Sequence, residues 1–312
     1  MCAVIVLLRS LLVAFLVSGP SAHAAIVPLF AKEMHLVQPP GLREWINRAA
    51  SFHVWQNDDA LRDLYAGTDR QGSVATGFCV PSAIGNALLR EFSRTNPRAS
   101  RLQIPGLIGK GAVDTAVLVR ELGERCGIGG LMGSFEPWKS SECMLDLMSE
   151  SGYPRATVRL IRNYGSREPM DGMLYEERAP DLEDLVSSVR AGYQAILSLS
   201  FLRWSESEGV WKKMAGHSVN VVGYGKPERG GDSKLKLYIQ NPTRNYHSDF
   251  KTPVFDEISL RANPDLDTGN LKYSNIEVEG APETLIQKKD MITVVSGLIL
   301  INANPESLQG TN

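Results

Sequence analysis

The sequence predicts an α+β domain, with helices first and a sheet later. Two patterns and the composition predict it. Apolar residues recur at helical spacing in four stretches between residues 79 and 192, while strand-like alternation gathers after them. Those later strands follow one another directly, instead of alternating with helices as βαβ units would. Of the 312 residues, 43% are hydrophobic and 22% charged, with no repeat or low-complexity tract, which is enough apolar content for a packed core and argues against disorder. A formal net charge of −2 leaves no basic footprint, so nucleic acid is excluded as a general partner.

Residues 1–24 read as a signal peptide. Arg9 is the one charge, Leu11 to Val17 form a short apolar stretch, and Ala22-His23-Ala24 is an A-x-A cleavage pattern. The alternative is a membrane anchor, but the run falls short of the ~20 residues that a span needs. Cleavage would leave no stable membrane span and would deliver the chain outside the cytoplasm, periplasmic or secreted. Export then bears on the four cysteines. Cys2 leaves with the signal, so Cys79, Cys126 and Cys143 remain, an odd number in an oxidising compartment. One solution bridges Cys126 to Cys143 and leaves Cys79 as a thiol; the other keeps both reduced.

Residues 25–44 are an N-terminal lead-in with a turn at Pro39-Pro40-Gly41, and Leu42, Trp45, Ile46 and Ala49 are spaced for a short helix. Gly67, Gly72 and Gly77 make the approach to residue 79 loop-like. Pro81 suits a first helical turn, and Ile84, Ala87, Leu88 and Phe92 form one helical face, so Cys79 is expected at a helix N-terminus. Unpaired N–H groups and the positive dipole end favour a thiolate there. The alternative for Cys79 is a small buried hydrophobe. Helices are also predicted over Asp114 to Arg125, Ser141 to Ser151, and from an Asp181 cap to Gly192, with a short strand at Thr157 to Ile161. Asn163 to Pro180 and Tyr246 to Gly269 read as loops.

Strands are predicted at Gln194 to Phe201, His217 to Tyr224, Leu235 to Asn241 and Met291 to Ile301. The second and third of these form a hairpin, which brings His217 and Asn241 to one end of the sheet. Cys79, His217 and Asn241 then have distinct jobs: a thiolate nucleophile, a base that pairs with it, and an amide that sets the imidazole tautomer. Gln71, in the loop before Cys79, is an oxyanion candidate, and otherwise a solvated loop residue. His247 is a spare base candidate, and otherwise a solvated loop histidine. No cofactor is called for, and the remaining cysteines and histidines have no metal-ligand spacing.

These residues resemble a known family. Gly77-Phe78-Cys79-Val80-Pro81-Ser82-Ala83, Gly216-His217-Ser218-Val219-Asn220-Val221-Val222-Gly223-Tyr224 and Tyr238-Ile239-Gln240-Asn241-Pro242 are similar to the motifs of papain-like cysteine peptidases, nearest the bacteriocin-processing (double-glycine) branch. The motifs cover about twenty residues. The resemblance implies a papain-like domain over 45–302, with N-terminal helices, the nucleophile helix packed on a C-terminal antiparallel sheet, and a flexible tail at 303–312. It implies hydrolysis of peptide or amide bonds through an acyl-enzyme on Cys79, with a peptide or protein as substrate. Asn241 matches papain itself, whereas the bacteriocin-processing branch usually has Asp. Gln71 stands eight residues before Cys79 where the family has about six, and Ser73 takes the expected place. Two alternatives stay open: an inactive binding module, and acyl transfer of a transglutaminase-like kind on the same three residues. Oligomeric state is not encoded in any of these motifs.

Overall fold

The computed structural model describes residues 27–28, 79–95, 108–109, 112–113, 115–126, 137–163, 172–224, 234–242, 256–280 and 290–303. In chain order its elements are β1 (Val27–Pro28), α1 (Cys79–Thr95), β2 (Ile108–Gly109), β3 (Ala112–Val113), α2 (Thr115–Glu124), α3 (Pro137–Glu150), β4 (Thr157–Ile161), β5 (Met173–Glu176), α4 (Leu182–Arg190), β6 (Gln194–Ser205), β7 (Val210–Tyr224), β8 (Leu235–Gln240), β9 (Asp256–Ala262), a 3-10 turn at Gly269–Leu271, β10 (Ile276–Glu279) and β11 (Met291–Asn302).

Strands β6 to β11 pair in sequence, all antiparallel, and β11 pairs back onto β6. The result is a closed six-stranded barrel. β4 extends the wall along the far part of β11, β5 runs parallel to β4, and β1 adds two residues beside the end of β7. This corrects the α+β expectation, and with it the resemblance to papain-like peptidases. The architecture is a closed barrel with four helices among the described residues, not a helical layer followed by an open sheet.

The physical reason lies in β9 and β10. Ile258 and Leu260 alternate with polar residues, as do Ile276 and Val278, and all four are buried. β9 falls inside a stretch read as loop. Together β9 and β10 bridge β8 to β11, so the sheet has no free edge at that place and curls shut. β5 likewise falls within the expected loop before residue 180.

Alternation on the closed wall separates two cores. Leu197, Leu199, Val219, Val221, Leu237, Ile239, Ile258, Leu260, Ile276, Val278, Leu298 and Leu300 come from all six strands and cluster together, so their face is the barrel interior. The opposite face of β6 and β11 carries Ile196, Ile299 and Ile301, which pack with Ile84, Leu88, Leu118, Met144 and Leu147 of the first three helices. Each such side chain, when fully buried, is worth about 1.5–3 kcal/mol.

Two ties hold α1 to the wall, and a disulfide joins the next two helices. Asn220 of β7 donates from Nδ2 to the Ala83 carbonyl in the first turns of α1, at 2.7 Å. Buried Glu91 accepts from the Ala303 backbone N–H at 2.7 Å and from Gln194 Nε2 at 3.4 Å, which pins α1 to the end of β11 and the start of β6. Cys126 and Cys143 form a disulfide between the end of α2 and α3. Close approach of α1 to α2 depends on Gly85, where a Cβ would lie 3.0 Å from Leu118 Cδ2.

α4 closes the barrel end at which β6 begins, setting Leu185 and Val189 among the interior side chains. Its start is a capping box: Asp181 accepts from the Asp184 N–H at 2.7 Å, and Asp184 accepts from the Asp181 N–H at 2.8 Å. Among the described residues no helix is long and apolar enough to cross a membrane.

Candidate functional site

At the other end of the barrel, β8 leaves the wall early. Its last pairing with β7 is Gln240 with Asn220, so the β7 edge at His217 and Ser218 is not covered by β8. The N-terminus of α1 comes to this edge. The backbone N–H groups of Ser218, Val80 and Cys79 itself lie near enough to the Cys79 sulfur to favour its charged form. Cys79 is a free thiol, partly exposed, and the first residue of its helix. Pro81 sits in the first turn, where its missing N–H costs no helical bond.

His217 pairs with Leu199 across β6 and lies two residues from Val219, on the interior-facing side of the strand. Asn241 follows β8 directly and continues the face of Leu237 and Ile239. Both are buried, and His217 Nε2 lies 2.8 Å from Asn241 Oδ1. An amide oxygen only accepts, so Nε2 carries the hydrogen and Nδ1 is left as the basic nitrogen.

Burial pushes the Cys79 thiol above its ordinary range; the N–H groups of Ser218, Val80 and Cys79 and the charge of Lys213 pull the other way. Burial pulls the His217 imidazole below its ordinary range, against the opposing bond to Asn241. The helix-terminal N–H groups do aim at the sulfur as expected, but desolvation outweighs them. Burial thus favours the uncharged form of each group, the thiol of Cys79 and the imidazole of His217.

The structure thus brings the residue-79 sulfur against the backbone of the residue after His217, and ties His217 to Asn241. Gln71, Ser73, His247 and residues 1–24 lie outside the described residues. Among the described residues, no group of three or more His, Cys, Asp or Glu side chains is placed to hold a metal ion. Sequence reading passed over Asn220 and Lys213. Asn220 had a signal: Ser218 and Asn220 alternate with Val219 and Val221, so the polar pair marks the face turned to α1. Lys213 had none, because its place depends on a β-bulge. Compared with known family models and with curated proteins, the chain matches none.

Proposed function

We propose that this chain is an exported thiol-dependent acyl-transfer enzyme that hydrolyses peptide or amide bonds. The observation that carries the reading is the 2.8 Å contact of His217 Nε2 with Asn241 Oδ1, made one residue before Ser218, whose backbone lies near the Cys79 sulfur. In this reading the Cys79 sulfur adds to the substrate carbonyl as its proton passes to His217 Nδ1. Asn241 holds the ring and stabilises the imidazolium through Nε2–H. The N–H groups at the α1 start favour negative charge nearby. His217 then gives its proton to the departing amine as the C–N bond breaks, leaving a thioester. Water attacks the thioester with His217 as base, and the acid leaves as the thiol re-forms. The Cys126–Cys143 disulfide supports the exported part of the reading, since such bridges persist in oxidising compartments.

A second reading, a binding module without turnover, is favoured by one observation: burial disfavours the charged form of both Cys79 and His217. p-Nitrophenyl acetate separates the two. An enzyme releases nitrophenolate with repeated turnover and carries an acetyl group on Cys79, found by mass spectrometry. Cys79→Ala should abolish both, and His217→Ala should slow them by about 10²–10⁴, the usual contribution of a general acid–base. Absence of acetyl-Cys79, or acylation indifferent to residue 217, leaves the binding module.

A further inference from the structure

Ser218 and Gly216 both lie on the outer side of β7, the side on which Asn220 meets α1. The next residue of that row is Lys213. The β6–β7 register shifts between Phe201 and Leu202, so Phe201 pairs with Ala215 and Leu202 with Lys213, leaving Met214 as the extra residue of a bulge. The bulge brings 213 and 216 to one side. A Cβ on Gly216 would lie 3.5 Å from both Cε and Nζ of Lys213, so the ammonium overhangs the bare backbone of Gly216. Gly216 and Lys213 are both exposed. Gly216 is four residues before Asn220, whose bond to the Ala83 carbonyl holds the first turns of α1, and so Cys79, against this side of β7, and the charge of Lys213 acts on the thiol.

The adjacent lysine is engaged differently. Lys212 forms an ion pair with Glu208, whereas Lys213 has no ion-pair partner among the described residues. The row is therefore an open strip beside the nucleophile, floored by a residue without a side chain and overhung by an unneutralised cation. Resting on the acyl-transfer reading, we propose that Lys213 is a specificity-determining residue that receives a carboxylate close to the scissile carbonyl, so that the substrates are acyl groups bearing an anionic side chain or terminus. The acyl chain would cross Gly216, where a Cβ would press to 3.3 Å on the Leu199 carbonyl as well as crowd the strip.

Iodoacetate and iodoacetamide test this without a natural substrate. Both alkylate a thiol with loss of iodide, and they differ by one carboxylate. Rates at Cys79 are read by peptide mapping of the full chain for wild type, Lys213→Met and Lys213→Arg. An ammonium at contact range through a solvated strip should change the iodoacetate-to-iodoacetamide ratio by about 3- to 10-fold. The ratio should fall by that factor in Lys213→Met, hold in Lys213→Arg, and converge between variants at 1 M salt, where the Debye length is about 3 Å. The iodoacetamide rate is the internal control for folding. A ratio unchanged in Lys213→Met, with p-nitrophenyl acetate still acylating Cys79, overturns the role of Lys213 and spares the acyl-transfer reading. A Cys79 that neither the ester nor the alkylating agents modify overturns both.

Discussion

Strand β7 is one strand in two environments. From Lys212 to Gly216 its residues are exposed, and from His217 to Gly223 they are buried. Both halves pair with β6, so hydrogen bonding in the ladder does not explain the change. What differs is the cover. The later half has α1 on its outer face, the barrel core on its inner face and, from Asn220 onward, β8 on its edge. The earlier half runs into a hairpin where Trp204 and Met214 are 46% and 49% exposed. The boundary falls at His217. His217 itself faces the desolvated core, while the exposed strip begins at its neighbour Gly216 on the outer side of the strand.

The largest break in this comparison should come from the buried side. Asn241→Leu removes the acceptor that lies 2.8 Å from His217 Nε2 and keeps the branched shape of the side chain. The imidazole loses the bond that opposes its desolvation, and its tautomer is no longer set. Acylation by p-nitrophenyl acetate should fall by about 10², the low end of what a general acid–base group supplies. Iodoacetamide labelling at high pH, which needs only the thiolate, should persist. If both fall together, Asn241 is supporting the fold and not the histidine.

Asn220→Ala comes next. It deletes the 2.7 Å bond to the Ala83 carbonyl and leaves that acceptor without Nδ2, in a buried place. Unfolding free energy in urea should drop by about 1–3 kcal/mol. Lys212→Ala, in the exposed half, should change it by no more than about 0.5 kcal/mol. Equal effects from the two would show that the exposed half is covered in solution. Because the same bond holds the first turns of α1 against β7, Asn220→Ala should also slow Cys79 acylation more than its stability loss alone accounts for.

The residues of the candidate site were legible for a physical reason, and the fold around them was not. Cys79 and Asn241 stand at element boundaries that leave a mark, a glycine turn with Pro81 and an Asn-Pro pair, while His217 is marked by Gly216 before an alternating run although it lies inside β7. Such marks are local. Barrel closure is not. β10 has four residues and two apolar side chains, too few to stand out from a loop, and its partners β9 and β11 are fixed only by tertiary pairing. A motif of about twenty residues is read within single segments, while architecture depends on how the remaining strands find one another. The bulge at Met214 belongs to the same class: register, and hence the place of Lys213, arises between strands and not within one.

The smallest effect sharpens the comparison through pH. His217 titrates below its ordinary value in the folded chain because burial disfavours the imidazolium. Between the two values the unfolded chain binds the proton and the folded chain does not, so stability rises with pH across that window. The neutral imidazole's full stability is present above about pH 6.5, the unfolded value, and is lost as pH falls through the folded one. Unfolding free energy measured from pH 8 to pH 5 should therefore decline in wild type. His217→Gln retains a polar side chain that cannot gain the charge, and its decline over the same range should be shallower. Carboxylates elsewhere, including Asp184 beside Arg178, contribute equally to both proteins and cancel in the difference. Parallel curves would mean that His217 is as well solvated folded as unfolded, and would erase the boundary that divides β7.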